Sequence, residues 1–436
     1  MKTPDWKKHL VLPAVCFCLV SAISWTSPVL ADDSTMLPET VTIQQLMQIT
    51  REKSPRFAAL RQRIEPANAE VVAAGVLPNP RISYGRYDLL TRQNTMYDGN
   101  VQQQVTLEVP VLIAGQRGAR VDAAEKNREV TAADIDAEFA DLIHQEWGLF
   151  VEQLADKQRI AVLDETTRYM GHLADIVLGR AQAGNASRYD LLRIEIETKA
   201  VQTRLETVSN NLSSSAGELG VLVGLSGWKP QAAGKLDYLN VPTDIEKLWA
   251  DTVNLNPALE AARRGEIAAD AGLERAERER WPTPSLQVGS VFTDKPYGNT
   301  SFAGVSVDLP IFDRGQGGMA RANAEKQAAI LARGLTNAQT RSALERAVDQ
   351  LSKRRTTRIK FEQEVMGRLS DLKAMGEASY RLGKGSLLEL LDASRSRTET
   401  QLTHLDLMQA EIEAELEILK VAGLLVNTVD SELTQK

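Results

Sequence analysis

The segments Leu77-Pro-Asn-Pro80 and Val109-Pro-Val-Leu-Ile-Ala-Gly-Gln116 flank a short stretch in which apolar and polar residues alternate. The same order returns in the second half of the chain, as Trp281-Pro-Thr-Pro284, alternation, and Leu309-Pro-Ile-Phe-Asp-Arg-Gly-Gln316. In both halves a long run without proline follows. A single recurrence with a spacing of about 200 residues predicts a tandem duplication, in which each half builds the same unit.

The first 31 residues have the pattern of a secretory signal. Three lysines precede an apolar stretch over residues 10–23, and Val29-Leu-Ala31 forms a small-residue cleavage site. Both cysteines, Cys16 and Cys18, lie inside this segment, and neither follows the small-residue box of a lipoprotein, so no lipid anchor is expected. The exported chain is expected to be free of cysteine, which excludes disulfides and thiolate metal sites.

The charge balance and the hydropathy narrow the class of protein. The chain of 436 residues has a formal net charge of −7, and loss of the signal, with three lysines and one aspartate, makes it −9. This acidic balance argues against nucleic acid as a partner. No later segment has the roughly 18 consecutive apolar residues of a membrane-spanning helix. If the protein spans a membrane, strands have to do it.

Four segments alternate between apolar and polar residues and predict strands over 81–88, 101–109, 285–292 and 301–309. Strands of this length with one apolar face suit a tilted transmembrane strand, and they equally suit a half-buried strand of a soluble sheet. Four strands cannot close a barrel, and an open sheet edge is not tolerated in lipid. A membrane form therefore requires several chains to share one barrel.

The helical patterns differ greatly in length. Short amphipathic helices are predicted over 41–53 and 243–254, and longer helices over 56–75 and 259–280 end at the paired prolines. After the strands come two runs without proline, 117–182 and 317–382. Each run predicts one continuous helix of 66 residues, about 100 Å long, which is far longer than a globular domain is wide.

Each long helix is expected to turn back on itself. Gly184 and Gly383 interrupt the helices, as expected of a residue in the left-handed conformation after a helix end. Ser187 and Ser386 then begin S-x-x-acid sequences, the form of a capping box that starts a new helix. Apolar residues that recur by threes and fours along the returning helices predict a coiled-coil seam.

These patterns predict a mainly α-helical protein with a small β part. The signal covers 1–31, and the first repeat covers 32–224, with a helical hairpin over 117–224. A linker over 225–242 leads to the second repeat, 243–425, with its hairpin over 317–425, and residues 426–436 form a C-terminal tail.

Together, these features resemble the TolC-like outer-membrane efflux channels, also called outer membrane factors. Two further stretches carry the resemblance: Val307-Asp-Leu-Pro-Ile-Phe-Asp-Arg-Gly315 and Tyr380-Arg-Leu-Gly-Lys-Gly-Ser-Leu-Leu-Glu-Leu-Leu-Asp392. The stretch Ala73-Ala-Gly-Val-Leu-Pro-Asn-Pro80 is similar to the subgroup that serves heavy-metal RND pumps of the cobalt-zinc-cadmium type. The resemblance implies a homotrimer in the outer membrane. Its chains would share one transmembrane β-barrel, four strands from each, continuous with a long α-helical barrel of coiled-coil hairpins through the periplasm.

The resemblance also implies the activity and the partners. The channel would conduct substrate passively, with heavy-metal cations expected, from an inner-membrane RND pump and a periplasmic adaptor (membrane fusion) protein to the exterior. Outer-membrane lipid would surround the barrel. No enzyme activity and no cofactor are implied. No metal site is expected either, because His144, His172 and His404 are widely separated along the chain.

The same resemblance assigns residues to a gate at the turn end of the hairpins. Its gating tyrosine falls on Tyr380, and its two constricting acids fall on Glu389 and Asp392. A ring of carboxylates at a constriction would repel anions. Glu389 is also the fourth residue of a capping box, so a cap is the competing interpretation. The matching positions in the first half are Asp190 and Arg193, and Arg193 is hypothesised to pair with an acid on a neighbouring helix and hold the gate shut.

Two further sets of residues are expected to have positional roles. The hairpin turns, which the resemblance assigns to adaptor docking, contain Gly184, Ser187, Gly383 and Ser386. The junctions between strand and long helix contain Pro110, Gly115, Pro310 and Gly315.

Two alternatives stay open at this level. The first is an exit duct for drug efflux or type I protein secretion, because no lumen sequence identifies the substrate. The second, from another class, is a soluble periplasmic coiled-coil adaptor or structural protein. It predicts no detergent requirement, although the four alternating strands argue against it.

Overall fold

The computed structural model describes residues 37–88, 101–184, 186–293, 298–382 and 384–425. The predicted signal over 1–31, Gly383 and the tail over 426–436 lie outside these residues. From the N-terminus the elements are β1 (Thr40–Val41), α1 (Ile43–Lys53), α2 (Pro55–Gln62), α3 (Ile64–Ala74), β2 (Arg81–Asp88), β3 (Val101–Pro110), α4 (Gln116–Gln182), α5 (Arg188–Val223), β4 (Gln231–Ala232), α6 (Ile245–Leu255), α7 (Pro257–Glu279), β5 (Ser285–Thr293), β6 (Asn299–Ser306), α8 (Gln316–Glu364), a 3-10 turn (Met366–Arg368), α9 (Leu369–Arg381) and α10 (Leu387–Val421).

The start of α2 and the start of α7 are fastened in the same way. The Ser54 hydroxyl accepts from the Phe57 N–H at 3.1 Å and donates to the carbonyl of Val223 at the end of α5. In the second half, the Asn256 side chain caps α7 and donates from Nδ2 to the Val421 carbonyl at 2.8 Å. Each cap therefore also satisfies a carbonyl at the end of the returning helix of its own half.

The predicted single helix over 56–75 is wrong, because it divides at Arg63 into α2 and α3. The cause is Pro66, which has no N–H to donate and whose ring clashes with the carbonyl four residues earlier. The corresponding prediction in the second half is confirmed in α7, which runs unbroken through a segment without an internal proline.

β2, β3, β5 and β6 form one antiparallel sheet in that order, so β2 and β6 are its edges. The ladder pairs Ile82 with Leu107, Leu107 with Val288 and Val288 with Ala303, and residues paired in this way share a face. We call this the apolar face; its larger members are Ile82, Tyr84, Val105, Leu107, Val109, Leu286, Val288 and Val305. The strand predicted over 301–309 begins earlier, at Asn299, and ends at Ser306.

The first long helix is continuous as predicted, since α4 runs for 67 residues. The second prediction is wrong, because the segment 317–382 is interrupted at Val365 and the 3-10 turn between α8 and α9. Glycine alone does not explain the interruption, since α4 contains Gly148 and Gly171 and stays helical. We call the helices of the two hairpins, α4, α5, α8, α9 and α10, the hairpin layer. Within this layer of the described chain, α4 packs between α5 and α10, whereas α8 and α9 pack beside α10 alone. The second long helix therefore has less tertiary packing to stabilise the helical conformation at the interruption.

The main core lies partway along α4 and α8 and at the ends of α5 and α10, and it includes the linker. We call it the mid-length core; among its buried residues are Leu46, Ile143, Trp147, Leu219, Leu236, Leu248, Leu344, Ile412 and Leu416. β4 in the linker pairs in parallel with β1. The fully buried Glu415 of α10 accepts from the Leu239 N–H at 2.8 Å and from Arg355 of α8 at 2.8 Å, which ties the linker to both helices.

None of the helices in the described ranges combines the length and the apolar character that crossing a membrane would require.

Candidate functional site at the hairpin turns

The first hairpin turn is built by a glycine and a capping box. Gly184 has φ 76°, the left-handed conformation that glycine adopts without strain. Three residues on, Ser187 caps α5. The Asp190 N–H donates to the Ser187 hydroxyl at 3.2 Å, and the Ser187 N–H donates to the Asp190 carboxylate at 2.9 Å. The predicted capping box is therefore present, and Asp190 is half-buried within it.

The second turn uses the same device. The Glu389 N–H donates to the Ser386 hydroxyl at 3.2 Å, and the Ser386 N–H donates to the Glu389 carboxylate at 3.4 Å. Before it, the Lys384 and Gly385 N–H groups both donate to the Ser379 carbonyl at 3.0 Å. Glu389 thus has the cap duty that competed with its assignment to the gate.

Tyr380 is buried between the two hairpins of one chain, with 9% of its surface exposed. The Arg180 guanidinium lies over its ring, with the central carbon 4.7 Å from the ring centroid, a cation–π geometry. Tyr380 belongs to the turn-end cluster, which consists of Met170, Leu173, Val177, Ile194, Tyr380, Leu387, Leu390 and Leu391. Beside it is a cleft of about 430 Å³ lined in part by Tyr169, His172 and Glu377. Tyr380 therefore joins α9 to α4.

Asp392 lies one helical turn beyond Glu389 and is exposed. It takes no part in the capping box of α10, in which the paired residues are Ser386 and Glu389. The Glu197 carboxylate, and more weakly Asp392, raise the pKa of the nearby Arg395 above its ordinary value. Asp392 is thus an exposed acid near the turn that does not cap the helix.

Among the described residues of one chain, the acid beside Arg193 lies on its own helix, and the hypothesised pair with a neighbouring helix stays a prediction. Arg193 pairs with Glu197 on its own helix at 3.2 Å, because the i,i+4 spacing brings the two side chains together. The same Glu197 carboxylate accepts from Arg395 of α10, and 12% of its side chain is exposed. Arg193 is consequently connected to the second hairpin through Glu197. Sequence reasoning missed Arg180, Glu197 and Arg395, since no motif marks contacts between distant helices.

Further along the hairpins, α4 and α10 are connected by polar contacts. Arg397 pairs with Glu165 at 3.0 Å, and the buried hydroxyls of Thr166 and Thr398 lie 3.0 Å apart. These contacts bind the two hairpins together one level above the turn-end cluster.

The strand-to-helix junctions follow the predicted glycines. Gly115 and Gly315 have φ 76° and 71° and precede the first residues of α4 and α8. Pro110 ends β3, whereas Pro310 lies beyond the end of β6. The junction residues therefore share their backbone conformation at the glycines and differ at the prolines.

Within the described ranges, no group of three or more histidines and acids is arranged to hold a metal ion. The turn end of the described chain thus offers contacts between the two hairpins and one exposed acid, Asp392.

The comparisons with known proteins agree with this arrangement. The family model described as "Outer membrane efflux protein" matches residues 46–225. The cobalt-zinc-cadmium resistance protein CzcC of Cupriavidus metallidurans is 25% identical over 88% of this chain and 90% of its own length. The pyoverdine export outer membrane protein OpmQ of Pseudomonas putida is 23% identical over 87% of this chain and 85% of its own.

The fold has solved counterparts as well. A structure of CusC, from work on conformational changes that accompany folding and transmembrane channel formation, superposes with a TM-score of 0.71 at 16% identity and covers 88% of this chain and 93% of its own. The family match over residues 46–225, the relatives along nearly the whole chain and the shared fold together make this chain similar to the outer membrane efflux proteins.

Proposed function

We propose that three copies of this chain form the outer-membrane channel of a tripartite, RND-type efflux system. The channel conducts substrate passively from a pump and a periplasmic adaptor to the exterior, and the pump supplies the energy. Each half of the chain, 32–224 and 243–425, serves as one structural repeat of the channel wall.

The open edges of the two layers carry the proposal. In the sheet the free edges are β2 and β6. In the hairpin layer α5 packs on α4, α4 on α10 and α10 on α8, which leaves α5 and α8 at the ends. Both layers therefore present the first half at one edge and the second half at the other. A head-to-tail contact between copies would cover both edges at once, and contacts of this kind close into rings.

The sheet supports a shared barrel in lipid. Its apolar face is uncovered within one chain, with 75% of Ile82, 63% of Tyr84 and 68% of Val305 exposed. A face of this kind suits the hydrocarbon core of a membrane, and closure by further copies would remove the two edges that lipid does not tolerate. Outer-membrane lipid is thus the proposed partner of this face.

The turn end suits a gate that docks an adaptor. Gly184, Ser187 and Ser386 lie in the turns assigned to docking, and Gly383 is proposed for the same role from its place in the sequence. The contacts of Tyr380 with Arg180 and of Glu197 with Arg395 hold the two hairpins of one chain together, so they favour a closed arrangement. Asp392 supplies an exposed carboxylate from each copy, and three such groups around one opening would favour cations.

Heavy-metal cations are the proposed substrate class. CzcC is named for resistance to cobalt, zinc and cadmium, and the alignment with it spans most of both chains. OpmQ is named for the export of pyoverdine and aligns over a similar share of both chains. Its name supports the alternative, export of an organic molecule.

The test is single-channel conductance of the detergent-purified protein in a planar bilayer. We expect discrete, cation-selective openings for the wild type and a reduced preference for cations for Asp392→Ala. Glu52→Ala removes an exposed acid from α1, away from the turns, and should leave selectivity unchanged. A protein that needs no detergent and never conducts would refute the channel. Normal conductance with unaltered selectivity in Asp392→Ala would refute only the role of that residue.

A further inference from the structure

The cleft beside Tyr380 is enclosed by three helices of the two hairpins. α9 packs mainly on α10, and a space of about 430 Å³ remains between α9 and α4. Leu173 and Ile176 of α4 and Leu390 of α10 give this space apolar walls. We call it the α4–α9 cleft. Cavities of this size, with mainly apolar walls and a few polar groups, are typical of binding sites for small molecules.

The walls of the α4–α9 cleft are fixed by packing within one chain. Leu173, Tyr380 and Leu390 belong to the turn-end cluster, and at most 9% of each is exposed. A methyl group added at Gly376 of α9 would lie 3.4 Å from Cβ of Ala393 and 3.6 Å from Cδ1 of Leu390, so α9 lies close against α10. A molecule that enters the cleft therefore meets walls that are already ordered, which lowers the cost of binding.

The acid in the cleft already has a partner. Burial, together with a hydrogen bond to Glu377, raises the pKa of the Tyr169 hydroxyl above its ordinary value. The Glu377 carboxylate is thus engaged by a neighbour that also lines the cleft. His172, the remaining titratable group on α4 there, is exposed and adds no negative charge.

The cation in the cleft has no counter-charge. Arg180 is half-buried, and its guanidinium lies over the Tyr380 ring, yet it forms no ion pair with any acid of the described ranges. Arg193 and Arg395, at the same end of the hairpins, both pair with Glu197. A cation that is partly shielded from water and unpaired favours an anion beside it.

We infer that the α4–α9 cleft binds a small aromatic carboxylate, which pairs with Arg180 and packs its ring against Ile176 and Leu390. Because α4 and α9 belong to different hairpins, the bound molecule connects the two hairpins of one chain. Binding itself is independent of the proposed channel. Its consequence rests on the proposed function: an occupied cleft favours the closed arrangement, so openings become rarer.

The lining of the cleft selects this class of ligand. An aromatic ring suits it because Tyr169 and Tyr380 both line the cleft, and contacts between aromatic rings add to the burial of apolar surface. A ligand cation would be repelled by Arg180, while Glu377 is already engaged. A carboxylate can accept two hydrogen bonds from one guanidinium, which fixes its orientation.

Isothermal titration calorimetry of the full-length protein in detergent tests the site, with 2-naphthoate as the probe and 2-naphthylmethanol as its neutral counterpart. Titrations into detergent alone are subtracted. Arg180→Gln removes the cation, and Ile176→Trp fills the cleft. Leu178→Trp is the matched control, because Leu178 is an exposed residue of α4 that does not line the cleft. Light scattering shows that each variant keeps the size of the wild type.

We expect 2-naphthoate to bind at one site per chain, and both 2-naphthylmethanol and the Arg180→Gln variant to bind at least about tenfold more weakly, since charge-assisted hydrogen bonds are lost. Ile176→Trp should abolish binding, and Leu178→Trp should bind as the wild type does. Equal binding of both probes would overturn the preference for an anion. Wild-type affinity in Ile176→Trp would overturn the location of the site.

Channel recordings separate this inference from the proposed function. In a planar bilayer, 2-naphthoate should lower the open fraction of the wild type and of Leu178→Trp, and not that of Ile176→Trp. Binding with an unaltered open fraction would overturn the effect on the gate. A protein that conducts normally and shows no saturable binding would overturn the whole inference and leave the channel intact. A protein that binds 2-naphthoate in the cleft and never conducts would uphold the site and refute the channel.

Discussion

Glu146 shows what a single buried carboxyl does to this fold. This residue of α4 is fully buried within one copy of the chain, and its carboxyl group accepts a hydrogen bond from the Thr50 hydroxyl at 2.9 Å. Its other oxygen finds no partner in the described residues. Burial raises the pKa of Glu146 to about 8, against smaller opposing effects of Thr50 and Arg56. At neutral pH the group is therefore mostly uncharged in the folded protein.

The raised pKa predicts a pH dependence with a definite sign. Below the ordinary pKa of a glutamate both states hold the proton, so the ionisation of Glu146 does not affect stability. As pH rises to about 8 the unfolded state alone loses the proton, so stability falls. Glu146→Gln should remove this loss, which is on the order of a few kcal/mol at pH 9, and should have little effect at pH 4. Thermal unfolding in detergent at both pH values measures it. Glu195→Gln, at an exposed position of α5, is the control, and an equal gain in both variants would contradict the assignment.

Residue-scale features were predictable where they depend on neighbours in sequence. The capping boxes at Ser187 and Ser386 follow from four consecutive residues, and both are present. The bridge from Arg193 through Glu197 to Arg395 depends on how two returning helices face each other, which the spacing of residues along one helix does not determine.

At the scale of elements, the interrupted helix between α8 and α9 predicts a hinge. Gly367 lies in the 3-10 turn, and a methyl group at this position would meet no atom within 4 Å. Gly367→Ala should favour helix there by about 1 kcal/mol and hold the second hairpin straighter. Hydrogen exchange of the backbone around residues 364–369 should slow, and channel openings should become rarer.

Gly334→Ala is the matched control for this experiment. Gly334 lies inside α8, and an added methyl group also meets nothing within 4 Å. The substitution should stabilise helix without slowing exchange around the turn. Unaltered exchange around residues 364–369 in Gly367→Ala would show that the interruption is not a hinge.

Elements were predicted well where the sequence itself stops or starts them. β2 and β3 have the expected bounds within one residue, and α4 is continuous, as its run without proline predicts. The division of the helix at Arg63 was also predictable, since Pro66 in the sequence indicates a break in a helix. The end of β6 and the interruption at Val365 were not, because each depends on which neighbours an element has in space.

At the scale of the whole molecule, the substrate is the property to be tested. A strain that lacks this gene should become more sensitive to cobalt, zinc or cadmium and should retain more of the metal, with sensitivity to organic drugs unchanged. Restoring the wild-type chain should reverse the defect. A strain that loses drug resistance or export of an organic molecule at normal metal tolerance would favour the alternative for which OpmQ is the precedent.

At this scale, counting alone predicts that a membrane form needs several copies, since four strands cannot close a barrel in lipid, and this stays a prediction. The identity of the substrate was not predictable, because a passive duct needs no binding site that would leave a motif.

The position of the mid-length core has a mechanical consequence. The linker, α1 and α6 pack against the middle of α4 and α8 and against the ends of α5 and α10, so the helices are held together well away from the hairpin turns. In the proposed channel, bending near the turns would end at this core and leave the sheet unstrained. The turn end would then widen and narrow while the membrane end keeps a constant bore, so outflow would be regulated without a change in the barrier of the outer membrane.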